Sequence, residues 1–154
     1  VSAPRKEEKE INLGKPEDKA QLNVLKILVN QPELAGLVRE GDWLEAFSNG
    51  LIHRTIGNIL AFSGVDCSLD HFVSSIEDEK VRSLIAYLAV HDQIPRMSEE
   101  DFVTYLKQVK RLWYKGKIDE LVQSINLAEK EGNRQLSVEL QSEWNIYKKE
   151  LDRL

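Results

Sequence analysis

Leu136, Leu140, Trp144, Tyr147, Leu151 and Leu154 follow one another at steps of four, four, three, four and three residues. An α-helix, with about 3.6 residues per turn, returns every member of that series to one face. A strand would send members three apart to opposite sides. The last stretch of the chain is therefore an amphipathic helix. The pattern before it, from Ser98 through Phe102, Leu106, Val109 and Trp113 to Ile118, Leu121, Val122, Ile125 and Ala128, is also helical. Gly132-Asn133 separates the two, so the chain's last third reads as a helical hairpin. One side of such a hairpin serves its own partner helix, and a second side is available to another protein. The sequence shows no catalytic constellation, so the function has to be sought in what this chain docks against.

Helix starts recur upstream. Pro16-Glu17 and Pro32-Glu33 put proline and an acid where a first turn accepts both. Leu22, Leu25, Leu28 and Val29 run from the first start to Asn30, and Leu34, Leu37 and Val38 follow the second. Gly41-Asp42 breaks the chain before Trp43, Leu44 and Phe47. Leu51, Ile52, Ile56, Ile59 and Leu60 predict a helix stopping near Ser63-Gly64. Ser68 is placed to cap a short helix carrying Leu69, Phe72, Val73 and Ile76. Asp78 opens another with Val81, Leu84, Ile85 and Leu88, and His91 to Met97 reads as a loop. Ser98 with Glu99, Glu100 and Asp101 is an N-cap followed by first-turn acids. Gly116 allows either a bend or a continuous helix of roughly 50 Å at about 1.5 Å per residue.

No alternating strand pattern occurs, and Ser48-Asn49-Gly50 lies between helical patterns. The expected fold is all-α. Residues 1–15 are expected to be a linker or disordered tail, 16–97 a compact bundle of about six helices, and 98–154 a long helix and terminal hairpin.

Net charge is −5, with 42% apolar and 31% charged residues. An acidic balance argues against a protein whose main affinity comes from neutralising phosphates. One cysteine, Cys67, excludes an intrachain disulfide and a cysteine metal cage, and points to a reducing, cytoplasmic setting. No apolar run is long enough to span a membrane.

Chemical motifs fail on inspection. Gly36 and Gly41 have the spacing of a phosphate loop, but Asp42-Trp43 stand where Lys and Ser or Thr are needed. None of His53, His71 and His91 follows a glutamate at the three-residue spacing of a di-iron site. Cys67, Asp70 and His71 are the nearest approach to a metal cluster, and a buried thiol beside a helix start is the simpler reading. His91-Asp92 reads as a loop pair at a helix end. No catalytic residue, metal or cofactor is expected.

Lys107, Lys110, Arg111, Lys115 and Lys117 form a basic run with no acid among them. The favoured reading is a solvated face balanced by Glu99, Glu100 and Asp101. An acidic partner or a nucleic-acid backbone is the alternative. Trp113, Tyr114, Trp144 and Tyr147 either fill the hairpin's seam or form a hot spot for a partner, since Trp and Tyr concentrate at such sites.

Three segments resemble one family. LNVLKILVNQPELAGLV (Leu22 to Val38), VSSIEDEKVRSLIAYLAV (Val73 to Val90) and the closing pair LWYKGKIDELVQSINLAEKEGNRQLSVELQSEWNIYKKELDRL are similar to the C-terminal helicase-binding domain of bacterial DNA primase. The tryptophans depart from that family's leucine-rich pattern. The resemblance implies a six-helix bundle joined to a helical hairpin. It also implies a non-catalytic module that docks on the N-terminal domains of the hexameric replicative helicase, recruits primase to the fork and modulates the helicase. The primase's catalytic modules would then lie upstream of the tail. On this reading the contact residues are Leu140, Trp144, Tyr147, Lys148 and Leu151, with no direct nucleic-acid contact expected beyond Lys107, Lys110, Arg111 and Lys115. Two other readings stay open. One is a helical interaction adaptor unrelated to replication. The other is a small helical enzyme using Asp70, His71 or His91.

Overall fold

A computed structural model describes residues 10–62, 69–91 and 94–154, without the side chains of residues 69 and 70. Among these residues there are seven α-helices, two short 3-10 turns and no strand, so the fold is all-α. The helices are α1 (Pro16–Asn30), α2 (Ala35–Glu40), α3 (Gly50–Phe62), α4 (Leu69–Ser75), α5 (Glu79–His91), α6 (Glu99–Lys130) and α7 (Arg134–Arg153). The 3-10 turns, Pro32–Leu34 and Leu44–Ala46, stand where the sequence placed a second helix start and a restart at Trp43. The expected stop at Ser63-Gly64 and the Ser68 cap lie outside the described residues, as does most of the expected tail. Its last residues are ordered by hydrogen bonds. Asn12 Oδ1 accepts from Gly14 N–H at 2.9 Å, and the Asn12 N–H donates to Asp18 Oδ2 at 2.8 Å.

The chain divides into two compact units, one closing at Val109 and the other running Lys110–Leu154. The boundary falls inside α6 and not at its start near Ser98. The reason is burial: Phe102, Leu106 and Val109 belong to the core of the first unit.

In that unit α1 is the central helix and packs on α3 and α5. Leu22, Val24, Leu25, Ile27, Leu28 and Val29 are all buried, which is more than one stripe, and a helix buried around most of its girth needs neighbours on several sides. Ile52, Ile56 and Ile59 of α3 and Val81, Ile85 and Leu88 of α5 supply the facing layers. The ring of Phe72 of α4 meets that of Phe62 of α3 in a tilted contact, with centroids 4.2 Å apart. Asp78 caps α5, its Oδ1 accepting from the Lys80 and Val81 N–H groups, and its Oδ2 takes the Arg54 guanidinium at 3.0 Å. The indole of Trp43 lies against Gly41, leaving no room there for a Cβ.

Buried amides tie the elements together. Gln21 accepts from the Asn49 N–H at 2.9 Å and donates to Ser48 Oγ at 3.0 Å, while Asn49 Oδ1 caps α3 by accepting from Ile52 N–H. Gln31, just past α1, pairs with the Met97 backbone in both directions: its Nε2 donates to the carbonyl at 3.0 Å and its Oε1 accepts from the N–H at 2.9 Å. An ion pair between Arg96 and Glu33 closes the same junction. Gln31→Leu removes the side-chain partners of the part-buried Met97 backbone N–H and C=O. It is expected to lower the first unit's stability by about 1–3 kcal/mol, measurable by urea denaturation.

Candidate functional site

The second unit is a helical hairpin whose turn is built by two adjoining caps. The Gly132 N–H donates to the Glu129 carbonyl at 3.1 Å and the Asn133 N–H to the Ala128 carbonyl at 2.9 Å, which is the Schellman pattern at a helix C-terminus. That pattern requires a left-handed residue, and Gly132 has φ +71°. Asn133 then caps α7, its Oδ1 accepting from Leu136 N–H at 3.1 Å. Gly132→Val would force a β-branched residue into this conformation. It is expected to destabilise the hairpin by about 1–2 kcal/mol, read as a lower urea midpoint monitored by far-UV circular dichroism.

No break falls at Gly116: α6 is helical from Glu99 to Lys130. Its buried positions within this unit are Tyr114, Leu121 and Ala128. Trp113, which the spacing grouped with Phe102, Leu106 and Val109, is only half-buried, and its neighbour Tyr114 takes the buried place. Val122 is exposed.

The residues nominated from sequence occupy one side of α7. Leu140, Trp144, Tyr147, Lys148 and Leu151 are each half-buried, and the one buried residue of α7 is Ser137. A single facing helix cannot enclose a stripe of large side chains, so each keeps part of its surface in solvent. The aromatic residues divide into two groups. Tyr147 meets Trp113 and Tyr114 with centroids 6.0 Å apart in both cases, and Trp113 and Tyr114 are 5.1 Å apart, so these three rings fill the seam. Trp144 lies apart from this trio. It lines an open cleft of about 370 Å³ with Val122, Ile125, Asn126, Gln141 and Asn145.

Two lysines of the basic run lie over rings. Lys110 Nζ is 6.0 Å from the Tyr114 centroid and Lys117 Nζ is 5.8 Å from that of Trp113. Lys148 on α7 is 5.6 Å from that of Trp144. Lys117 also pairs with Glu120 at 3.7 Å. Such cation–π contacts contribute about 0.5–1 kcal/mol each when exposed. Lys107 and Lys115 are exposed and Arg111 is half-buried.

Of the exposed apolar residues near the turn and along α7, Leu136 belongs to the periodic stripe, and Leu127, Val138 and Ile146 do not. Leu127 is 57% exposed, Leu136 39%, Val138 63% and Ile146 59%. Leu127 lies in the last turn of α6, Leu136 in the first turn of α7 and Val138 in its second, so three of the four flank the Gly132-Asn133 turn. The available signal was that Leu127, Val138 and Ile146 are apolar residues off their helices' own buried faces.

The histidines serve local contacts. A ring nitrogen of His53 lies 3.2 Å from the Phe47 carbonyl oxygen, and the His91 ring is 4.5 Å from that of Tyr87. His71 is exposed on α4. Cys67, the Asp70 side chain and Asp92 lie outside the described residues. Among the described residues no group of three or more His, Cys, Asp and Glu side chains could hold a metal ion, and no helix is long and apolar enough to cross a membrane. No protein-family model, curated protein or solved structure matches the chain.

Proposed function

We propose that this chain is a non-catalytic docking module of bacterial DNA replication, similar in role to the C-terminal domain of primase, which binds the N-terminal domains of the hexameric replicative helicase in the cytoplasm. The observation that carries the reading is the hairpin itself. It joins a helical unit with its own core to two long helices that expose large apolar side chains, and such patches on an otherwise charged surface mark sites for other proteins. The order of elements is the one the resemblance implies: a bundle, then a long helix, then a closing helix. The stripe of Leu140, Trp144, Tyr147, Lys148 and Leu151 supplies a half-buried aromatic and aliphatic face, and Leu127, Leu136 and Val138 are further apolar side chains exposed near the turn.

The test is co-elution of the 154-residue chain with a hexameric replicative helicase on size exclusion. A shared peak that is lost with the helicase's N-terminal domains removed is the expected result. A chain that elutes alone at micromolar concentrations removes the helicase from the account and leaves a helical adaptor with another partner.

A further inference from the structure

We infer that the side of the hairpin that opens at Trp144 binds a segment of single-stranded nucleic acid. The inference goes beyond the docking reading and does not rest on it. The cleft there joins the Trp144 indole and the apolar side chains of Val122 and Ile125 to three carboxamides, Asn126, Gln141 and Asn145. All three carboxamide residues are exposed, and the indole is half-buried. An indole is a platform on which any base can stack, and a carboxamide both donates and accepts, as the edge of a base requires. Lys148 Nζ lies 5.6 Å from the Trp144 centroid, so a cation stands beside the platform.

Helical spacing carries this side of the hairpin from the cleft into a basic patch. On α6 Asn126, Val122, Ile118, Lys115 and Arg111 follow at steps of four, four, three and four, which keeps them on one face. On α7 Gln141 and Asn145 lead at steps of three and four to Lys148 and Lys149. Arg111, Lys115, Lys148 and Lys149 thus share this side with two acids, Asp119 and Asp152. The whole open end of the hairpin has the same bias: residues 110–117 and 148–154 hold seven Lys and Arg against two acids, in a chain whose net charge is −5. Cations here are complementary to phosphates. An acidic peptide would use the cations and leave the indole and the carboxamides without a role, whereas a strand with unstacked bases uses all three. A duplex keeps its bases stacked and cannot present one to Trp144. Leu140 and Tyr147 point roughly 140–160° round α7 from Asn145, so they stay available to a protein partner on the other side of the stripe.

The experiment uses the full 154-residue chain and no helicase, so its outcome is separate from that of the docking test. A fluorescent oligothymidylate about twelve nucleotides long is titrated at about 50 mM salt and followed by anisotropy. Trp144→Ala is expected to weaken binding at least about 10-fold, and Trp144→Phe, which keeps a ring, no more than about threefold. Asn126→Asp/Asn145→Asp alters no shape and puts negative charge in the cleft. It is expected to weaken binding about 10-fold with the circular dichroism spectrum unchanged, which separates loss of the site from loss of the fold. Lys115→Glu/Lys149→Glu should weaken binding by a similar factor and lower the slope of log K against log salt by about 1 to 1.5. Lys80→Glu/Lys130→Glu changes net charge by the same amount away from the site and should stay within about twofold of wild type. In NMR spectra the strand should shift the Trp144 indole N–H signal and leave that of Trp43 in place. Absence of binding, equal losses in the two charge-reversal pairs, a duplex bound as tightly as the single strand, or displacement of the strand by an equal concentration of a poly-glutamate peptide overturns the inference.

Discussion

Phe102→Ala is expected to cost the first unit about 3–5 kcal/mol, the range for deleting a buried phenyl ring. Domains of this kind have a total stability of about 5–15 kcal/mol, so the variant should unfold at a much lower urea concentration or fail to fold at physiological temperature. Phe102 is fully buried, and so is Leu106 one turn later. Both lie on a helix that also runs into the hairpin, and a boundary at the helix start would have assigned them to the appendage. The control is Tyr105→Ala on the same helix. Tyr105 is exposed, and its removal should change stability by no more than about 0.5 kcal/mol. Circular dichroism and tryptophan emission followed through a urea titration give both numbers. Equal effects of the two substitutions would mean that the opening turns of α6 do not belong to the first core.

That boundary shows what the residues revealed and what they withheld. Helix starts were legible because capping is local. Pro16, Asp78, Ser98 and Asn133 act on backbone groups within a few residues, so short spacings identify them. The Gly132-Asn133 turn was legible for the same reason. Depth was not. The stripe on α7 has the right period, but period fixes a direction and not how much neighbouring chain covers it, and one facing helix leaves Leu140, Trp144 and Leu151 half-buried. The amide ties were also hidden. Gln31 and Met97 are 66 positions apart, and Gln21 meets Asn49 across 28, so no local pattern announces either pair. A glutamine inside an apolar helix looks like a solvent residue until the backbone it serves arrives from elsewhere. In the hairpin the helical period alone does not separate covered apolar side chains from exposed ones. Leu127, Val138 and Ile146 depart from the period and face solvent, as do Val122 and Leu136, which obey it.

If the chain docks on the helicase as proposed, deleting Arg134 to Leu154 is expected to weaken that binding by well over about 100-fold, since two or more anchor residues of about 2 kcal/mol each are lost together. The physical effect reaches beyond the deleted residues. Without α7, Tyr147 no longer meets Trp113 and Tyr114, and the second half of α6 loses the surface that covers Tyr114, Leu121 and Ala128. An isolated helical segment of this length is marginal in water, so residues beyond Lys110 should fray while the first unit, held by its own core, keeps its cooperative unfolding. Far-UV circular dichroism should show a loss of helix larger than the twenty residues of α7 alone account for. The urea transition of the first unit should persist. Binding that survives the deletion with an unchanged affinity would place the contact on the first unit, where Tyr87 and Val90 of α5 are among the exposed apolar side chains.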